Sequence, residues 1–526
     1  MFTSDMAESR QKTVVLQGLD AGMFGEILSY IYSGTLHVSL DKVQPLYQAA
    51  DLLQLDYVRD TCSSYMAMNV ERFTCVDLYK FADVFSVDVV GKACQKCINR
   101  NFVEIASSKE FCSLSVNQLT EIISHDELDV KVETPVWEAV VSWVQYNRED
   151  RLHHLPSILP HIRFNLLTSD DTAAILKHPL VREDPGSSEV IRNVVQKRNP
   201  NLKPRLGMTT EMALVSGLRD KDILFMNPRE GKYISCSYGA KELRYVRGMT
   251  VTRDNDIYML DSEVWDYGQL SMLKYNHAEN VWEHAGMSPL HISLLNGPGA
   301  QNDLNCFNNH LVEVDGILYY IALATTIFSD AFMQMKKYNQ NTDQWQECSQ
   351  LHPSGFEFFS AALVCGPNLY FIRTCGEMHC YDPSQDRWCI KTPPRIIDDV
   401  CTAVVMGTEI FCTDFVFTHT MVYDTESDSW QKLQGWRNIG NLAVDNNDPP
   451  TLFVLENQLH ISIKLFDPAV EEESSGDYLL YVYDRPADAW RDLKATLPDN
   501  TRMPHGFGCP VARIYLPYLS ARSEDT

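Results

Sequence analysis

The spacing of hydrophobic and polar positions changes part-way along the chain. Up to about residue 167, apolar residues recur mostly every three to four positions, as they do along one face of a helix. From about Met208 to Leu519, short apolar runs are separated by turn residues, which is typical of β-strands. The pattern therefore predicts a largely helical first part and an all-β second part.

A repeated aromatic pair marks the β part. At five places a tyrosine is followed seven residues later by a tryptophan, with Asn, Asp, Pro, Ser or Thr between them. Each copy predicts a hairpin, because polar turn residues connect two strands that carry an aromatic residue each. A degenerate sixth copy runs from Met226 to Tyr233. We expect both rings of each pair to be structural residues of the β part. The pairs are Tyr275/Trp282, Tyr338/Trp345, Tyr381/Trp388, Tyr423/Trp430 and Tyr483/Trp490.

The distances between the pairs predict the architecture. Successive tyrosines lie 63, 43, 42 and 60 residues apart, so the period is about 43 residues with two insertions. That length holds four short strands, which is one blade of a β-propeller, and six copies predict six blades. The first blade begins at its second strand, and the run Val511–Tyr515 predicts a strand that completes it and closes the ring.

The first part contains shorter elements. Residues 168–204 form a polar connection, with a short helix around Val190–Val195. The other predicted elements are strands at 13–16 and 36–38 and helices at 23–32, 43–55, 57–68, 73–85, 114–123 and 136–144.

Composition narrows the class of protein. The chain has 526 residues, of which 45% are hydrophobic and 22% charged, as in ordinary globular proteins. A net charge of −25 argues against binding to nucleic acid, which needs clustered Lys and Arg. We expect no membrane span, since no run of 18 apolar residues occurs. Fifteen cysteines without a secretory signal are expected to be reduced thiols in the cytoplasm or the nucleus.

No arrangement for catalysis is evident. The chain has no nucleophile elbow, no phosphate-binding Gly-Lys-Ser/Thr and no His-Glu-x-x-His, so we expect no enzyme activity, no catalytic residue and no cofactor. Two groups are candidates for a metal: Cys94 with Cys97, which has the one metal-like spacing, and Cys375 with His379 and Cys380, which lie close together on one blade. We favour a structural role for both over a metal site, although the second group has oxidant sensing as a further alternative.

Three stretches resemble a known domain family. Residues 1–9, 30–34 and 49–55 resemble the second half of a BTB domain, and residues such as Phe81-Ala82-Asp83 and Ile162-Arg163-Phe164 resemble the BACK domain. With the six repeats, the order resembles the BTB-BACK-kelch family, in its kelch repeat and BTB domain-containing subgroup. The repeats depart from the kelch pattern in one respect, since they lack the double glycine that usually ends strand b.

The resemblance implies a multidomain fold of a partial α/β BTB, an all-α BACK helical domain and an all-β six-bladed kelch β-propeller. The first half of the BTB domain, which forms most of the family's homodimer contact, is not in the sequence. The homodimer expected of the full-length family therefore lacks its main contact here. The implied boundaries are 1–68 for the BTB half, 69–167 for BACK, 168–204 for a linker, 205–519 for the propeller and 520–526 for a tail.

The resemblance also implies a function. Family members act as substrate-recognition adaptors of a cullin-3 RING ubiquitin ligase, and their hydrophobic-x-Glu element matches Met6 and Glu8 as cullin-binding residues. The substrate would be a protein that the sequence does not identify. The alternatives are a non-degradative scaffold that binds the cytoskeleton or another protein, and an isoform unable to engage the ligase fully.

The propeller offers candidate binding residues. In kelch propellers, the b–c and d–a loops share the face that binds the partner, and spacing predicts long b–c loops in blades 2, 3 and 6. Exposed aromatic residues and arginines on that face would contact a partner, the arginines an acidic peptide. The candidates are Phe328, Phe332, Phe358, Phe359, Arg373 and Arg395.

Overall fold

The structure is a computed structural model that forms two compact units, Met1–Thr209 and Thr210–Thr526. They are called the helical unit and the propeller below. The residues described are 17–196, 203–216, 222–237, 244–263, 269–292, 304–326, 331–351, 360–393, 400–434, 443–444, 450–466, 478–496 and 509–517.

Fourteen α-helices lie in the described part of the helical unit. The first shows how local sequence sets the ends: the Asp20 carboxylate accepts the Met23 amide at 2.9 Å, and Gly34 ends the helix at φ 73°. The helices are α1 Ala21–Ser33, α2 Val43–Leu52, α3 Asp56–Met68, α4 Cys75–Phe85, α5 Asp88–Arg100, α6 Phe102–Ala106, α7 Lys109–Cys112, α8 Val116–Ser124, α9 Thr134–Tyr146, α10 Arg148–Arg151, α11 Leu155–Ile158, α12 Ser169–Lys177, α13 Pro179–Glu183 and α14 Pro185–Gln196.

A single apolar core holds these helices together. It extends from Ile27 in α1 through Trp143 in α9 to Ile191 in α14. Residues 168–204 are therefore not the polar connection that the sequence suggests. Three helices occupy most of that range, because Ile175, Leu180 and Ile191 give them enough apolar surface to pack on the core.

Two predicted strands do not appear in the helical unit. Leu36–Val38 runs between α1 and α2 without strand pairing, so that prediction is wrong. A strand needs a neighbour to bond its amides and carbonyls, and the described part of this unit contains no strand to pair with it. The strand predicted at 13–16 lies outside the described residues.

Six antiparallel sheets make up the propeller, and each is one blade of strands a to d. Blade 1 is β26, β1, β2, β3; blade 2 is β4–β7; blade 3 is β9–β12; blade 4 is β13–β16; blade 5 is β17–β20; and blade 6 is β22–β25. The strands are β1 Thr210–Ser216, β2 Asp222–Asn227, β3 Lys232–Ser237, β4 Arg244–Val251, β5 Ile257–Glu263, β6 Gln269–Asn276, β7 Val281–His284, β8 Leu290–His291, β9 Leu304–Val314, β10 Ile317–Thr326, β11 Ala331–Asn339, β12 Gln344–Glu347, β13 Ser360–Cys365, β14 Asn368–Arg373, β15 Met378–Asp382, β16 Arg387–Lys391, β17 Val400–Met406, β18 Glu409–Asp414, β19 Thr420–Asp424, β20 Ser429–Leu433, β21 Ala443–Val444, β22 Thr451–Leu455, β23 Gln458–Phe466, β24 Tyr478–Asp484, β25 Ala489–Thr496 and β26 Val511–Ile514.

The ring closes through the last strand, as predicted. Strand β26 pairs antiparallel with β1, with Ala512 opposite Met212, and so supplies strand a of blade 1. Six apolar clusters then fill the spaces between neighbouring blades, including the space between blades 6 and 1, where Phe453 lies in one cluster with Val215. Six blades joined in this way confirm the propeller prediction.

The propeller begins later than the sequence suggests. Residues 203–209 lie in the helical unit, and strand β1 begins at Thr210. The backbone of this segment bonds to a loop that precedes α9: the Leu206 amide donates to the Asp126 carbonyl at 2.9 Å, and the Gly207 amide donates to the Leu128 carbonyl at 3.3 Å. We call residues 203–209 the strap.

Candidate functional site

The five aromatic pairs build the hairpin between strands c and d of blades 2 to 6. Each tyrosine lies directly opposite its tryptophan in the strand register, and the two ring centroids are 5.0 to 5.4 Å apart. In blade 1, Met226 faces Tyr233 at the equivalent place. Aromatic neighbours on paired strands stabilise the register, so these hairpins position the rest of each blade.

The two rings of a pair differ in burial, although the sequence treats both as structural residues. Four of the tyrosines are buried within the apolar clusters between blades, namely Tyr275, Tyr381, Tyr423 and Tyr483, whereas Tyr338 is half-buried. All five tryptophans are half-buried, so they cover the edge of a cluster rather than fill it. They are Trp282, Trp345, Trp388, Trp430 and Trp490. The reason is that strand d ends its sheet and has a strand neighbour on one side only.

The tryptophans contact the preceding blade instead. The Trp430 indole donates to the Thr392 carbonyl of blade 4 at 2.6 Å. Trp490 makes its contact through the ring, which packs edge-on against Phe417 of blade 5 with 5.0 Å between the centroids. Their structural contribution is therefore to hold the outer edges of neighbouring blades together.

A carboxylate or amide in each turn completes this hairpin. The residue five positions after the tyrosine adopts a left-handed conformation with φ between 46° and 52°, and its side chain accepts the tyrosine hydroxyl at 2.5 to 2.6 Å. The sequence analysis did not single out these residues, although Asn or Asp occupies the fifth position in every copy. They are Asn280, Asp343, Asp386, Asp428 and Asp488.

The same turns join one blade to the next. Asp386 of blade 4 accepts the Ser349 amide at 2.9 Å, and the Trp388 indole donates to the Ser349 carbonyl at 2.8 Å. In blade 3, Asp343 and Trp345 bond to Ser288 in the same way, at 2.9 and 3.1 Å. The hydrogen bond from the Tyr381 hydroxyl is the main cause that lowers the pKa of Asp386.

The face formed by the b–c ends of the blades is uneven. In blade 3, strands b and c stay paired as far as Thr325 opposite Ala331, whereas in blade 4 the pairing ends at Ile372 opposite Met378. Counted from the tyrosines at equivalent positions, strands b and c of blade 3 are longer than those of blade 4 by roughly four residues, or roughly 13 Å at about 3.3 Å per residue. Blade 6 also projects, since its strands pair as far as Lys464 opposite Tyr478.

The inserted residues thus lengthen strands more than loops. The predicted long b–c loop of blade 3 is wrong, because strands β10 and β11 take up all of the insertion except residues 327–330. The long d–a connection after Trp282 also adds to a sheet, since β8 pairs with the projecting end of β6. Blade 6 keeps the longest b–c connection, at 467–477, outside the described residues.

Blades 4 and 5 form a low sector between the projecting blades 3 and 6, and we define it as residues 373–379 and 414–419. In blade 4, the Arg373 amide closes the hairpin on the Glu377 carbonyl at 3.0 Å. In blade 5, the Asp414 carboxylate accepts the Thr418 amide at 2.7 Å and lies 2.9 Å from His419 Nδ1. These tight hairpins give the low sector a defined floor.

A buried charged group lies at this floor. The Arg373 side chain is 1% exposed and forms an ion pair with Glu377, whose carboxylate also lies 3.6 Å from His379 Nε2. Burial lowers the pKa of His379, while Glu377 acts in the opposite direction. Arg373 is therefore already engaged by a carboxylate, and Glu377, at 44% exposed, is the member of the pair that solvent reaches.

Most of the other predicted binding residues cannot be placed. Phe332 lies in β11, opposite Ala324, on the projecting part of blade 3. Met6, Glu8, Phe328, Phe358, Phe359 and Arg395 lie outside the described residues.

One of the two candidate metal groups is divided between the two faces of a sheet. His379 and Cys380 are neighbours on strand β15, so their side chains leave opposite faces of the sheet. Cys94 is fully buried in the core of the helical unit. Among the described residues, no group of three or more His, Cys, Asp or Glu side chains is placed to hold a metal ion. None of the described helices is both long enough and apolar enough to cross a membrane.

The helical unit exposes apolar side chains between α3 and α6. Met68 is 77% exposed, Phe73 84% and Val103 57%, and an ion pair at 2.6 Å joins Arg72 to Glu104, which are the sequence neighbours of Phe73 and Val103. We call Met68, Phe73 and Val103 the helical patch. Single exposed apolar side chains are normal, whereas a contiguous patch of them is typical of a surface that a partner covers.

Comparisons with known proteins agree with these two units. A family model for the BTB/POZ domain matches residues 1–70, and one for BACK, described as "BTB And C-terminal Kelch", matches residues 75–177. The chain is 26% identical over 553 residues to Kelch repeat and BTB domain-containing protein 8 of Xenopus tropicalis, covering 98% of this chain and 85% of that protein. It is 26% identical over 566 residues to Kelch repeat and BTB domain-containing protein 2 of Homo sapiens, with the same two coverages.

Proposed function

We propose that this chain, which belongs to the BTB-BACK-kelch family, is the substrate-recognition adaptor of a cullin-3 RING ubiquitin ligase. The helical unit would bind cullin-3, and the propeller would hold the protein to be modified. Catalysis would belong to other subunits, so this chain contributes proximity and orientation. The observation that carries the proposal is the division into a helical unit, matched by the BTB and BACK family models, and a separate propeller.

The helical patch supports the cullin-binding part of the proposal. The resemblance implies that family members contact cullin-3 through the BTB domain and the first BACK helices. Met68 ends α3 and Phe73 precedes α4, close to where the BTB match ends at residue 70 and the BACK match begins at residue 75. Apolar side chains at this junction would lose their exposure to water in a complex, which favours association.

The hydrophobic-x-Glu element supports the same part from sequence. Met6 would bury apolar surface and Glu8 would face a basic side chain of cullin-3. A charge reversal at Glu8 places two like charges against each other, which opposes binding more strongly than removal of the charge.

The stepped face of the propeller supports the substrate-holding part. A ring with tight hairpins on blades 4 and 5 and projecting strands on blades 3 and 6 presents a concave, rigid surface. Binding surfaces are commonly built from segments that a rigid scaffold displays in this manner.

A pulldown with purified cullin-3 tests the ligase part. We expect the wild-type chain to retain cullin-3, and Glu8→Lys and Phe73→Asp each to weaken binding on the order of 30-fold, as for a residue central to an interface. Val132→Asp is the matched control, because Val132 is also an exposed apolar residue of the helical unit but precedes α9 and is not one of the three patch residues. That variant should bind like the wild type.

The outcomes separate the candidate functions. Failure of the wild-type chain to retain cullin-3 would contradict the adaptor and favour a non-degradative scaffold or an isoform unable to engage the ligase fully. Equal loss in all three variants would instead indicate general destabilisation, which circular dichroism would reveal.

Proximity labelling tests the propeller part. Glu377→Lys changes the charge at the floor of the low sector and should remove the captured substrate while cullin-3 stays bound. Glu426→Lys is the control, because Glu426 is an exposed carboxylate in the c–d turn of blade 5, at the opposite end of the strands. Identical capture by both variants would argue against the b–c face.

A further inference from the structure

Two cysteines face each other across the outer hairpin of blade 4. Cys380 on β15 is directly opposite Cys389 on β16, one residue pair from Tyr381 and Trp388. Both are free thiols, and Cys389 is exposed whereas Cys380 is 5% exposed. A small reactant in solution can therefore reach Cys389 but not Cys380.

The separation of the two strands suits a covalent bond between the thiols. Residues directly opposite in an antiparallel pair have Cα atoms about 4.5 to 5.5 Å apart. Disulfides usually join residues whose Cα atoms are about 4.4 to 6.8 Å apart, so the bond needs no shift of the strands.

The pair is specific to blade 4 among the hairpins that carry a tyrosine and a tryptophan. In the other four, the residues at the same register are Lys274 with Glu283, Lys337 with Gln346, Val422 with Gln431, and Val482 with Arg491. Propeller architecture alone therefore does not require two thiols at this place.

We propose that Cys380 and Cys389 are a peroxide-sensitive modification site, at which a hydroperoxide converts the two thiols into a cross-strand disulfide. The exposed Cys389 thiolate attacks one oxygen of the hydroperoxide, the O–O bond breaks, and water or an alcohol leaves with the proton. Cys389 is then a sulfenic acid. Cys380 Sγ loses its proton as it attacks the Cys389 sulfur, the S–O bond breaks, and water is released.

The environments of the two thiols assign these roles. Burial raises the pKa of Cys380 to about 11, so this sulfur stays protonated at neutral pH and reacts poorly with peroxide on its own. It acts instead on the sulfenic acid that forms beside it. The modification should be reversible, since the disulfide joins a partly exposed pair that a thiol reductant reaches from the Cys389 side.

Peptide mapping of the full-length chain tests the site. The reduced chain is treated with hydrogen peroxide, remaining thiols are alkylated, and trypsin cleaves after Arg387, which lies between the two cysteines. We expect peptides 374–387 and 388–391 to remain joined until dithiothreitol is added. Because peptide 374–387 also contains Cys375, the Cys375→Ser variant is the matched control, and it should form the same link.

Two further variants test the order of steps. In Cys380→Ser, no thiol resolves the sulfenic acid, so Cys389 should proceed to the sulfinic acid at peroxide doses that give the disulfide in the wild type. In Cys389→Ser, Cys380 should stay unmodified. The proposal fails if the link disappears in Cys375→Ser, or if Cys389 of the wild-type chain is oxidised to the sulfinic acid as readily as in Cys380→Ser.

Discussion

Arg205 and Glu133 form an ion pair in which neither side chain is exposed to solvent. The guanidinium bonds to both carboxylate oxygens, with Nη2 and Oε2 3.0 Å apart, and donates to the carbonyls of His125 and His161 at 3.0 and 3.3 Å. Because Arg205 belongs to the strap, the segment that leads into the propeller is fixed to the helical unit by a buried charge. A guanidinium that bonds to both oxygens of one carboxylate makes a contact that is both stronger and more precisely oriented than a single hydrogen bond.

Removal of one member of this pair should destabilise the helical unit. Glu133→Ala leaves the Arg205 charge buried without its partner, and such a change typically costs about 3 to 5 kcal/mol. Denaturant unfolding followed by circular dichroism at the helical band measures the change.

Arg148→Ala is the matched control. It also removes an arginine that pairs with a glutamate in the helical unit, but Arg148 and Glu183 are 50% and 45% exposed. An exposed pair contributes about 0 to 1 kcal/mol, so a loss as large as that of Glu133→Ala would contradict our account of burial.

The turn of blade 4 gives a second prediction. Asp386→Ala removes the acceptor of the Tyr381 hydroxyl and the Ser349 amide, and places an alanine at φ 49°. The propeller should lose on the order of 2 to 3 kcal/mol, from the unmade hydrogen bonds and the left-handed backbone. Asp386→Asn keeps an oxygen acceptor and a residue that tolerates this conformation, as Asn280 does in blade 2. Equal losses in the two variants, measured by unfolding of the propeller, would exclude this role for the turn.

Sequence reasoning finds the propeller because its signal is local. A tyrosine and a tryptophan seven residues apart become direct neighbours as soon as the turn forms, so the spacing alone predicts the register. Asp386 lies between the same tyrosine and tryptophan. An aspartate is expected in a turn in any case, so its presence does not predict a side-chain contact. Its bond to Ser349, in another blade, becomes visible only when the blades are adjacent. The unequal burial of the two rings is hidden for the same reason, since Trp430 and Trp490 meet the preceding blade only when neighbouring blades pack together.

The helical unit shows where such reasoning stops. Arg205 and Glu133 are 72 residues apart, and no periodicity connects them. The residues around Arg205 include a proline and a glycine. These residue types favour a surface connection between domains rather than a segment packed against the helical unit. The insertion in blade 3 is ambiguous for a different reason, since extra residues between two strands either lengthen the strands or enlarge the loop.

Buried histidines predict how the propeller responds to acid. Burial lowers the pKa of His310 to about 4, against an ordinary value of 6.5. Between those two pH values the unfolded chain binds a proton at His310 and the folded chain does not, so stability falls as pH decreases through this window. The loss from this residue is on the order of 3 kcal/mol at pH 4.

Unfolding of the propeller at several pH values tests the sign. His310→Gln should reduce the slope of stability against pH between 4 and 6.5, because glutamine does not titrate there. A wild-type propeller that becomes more stable on acidification in this window would contradict the prediction.

Two glycines of the helical unit should respond to alanine in opposite directions. A Cβ atom at Gly207, in the strap, would lie 2.5 Å from both the Asp129 carboxylate and the Val130 backbone nitrogen. Gly207→Ala should therefore push the strap away from this loop, and we expect a loss of roughly 1 to 3 kcal/mol from overpacking.

At Gly91, within α5, the nearest atom to the added Cβ is that of Ala82, at 3.8 Å, which is an ordinary contact. Gly91→Ala should thus stabilise the unit by about 0.5 to 1 kcal/mol, since alanine loses less backbone freedom in a helix. Hydrogen exchange of the amides of Leu206 and Gly207 distinguishes the two variants, because only Gly207→Ala should accelerate this exchange. Unchanged exchange in Gly207→Ala would show that the position of the strap does not depend on the absence of a side chain at Gly207.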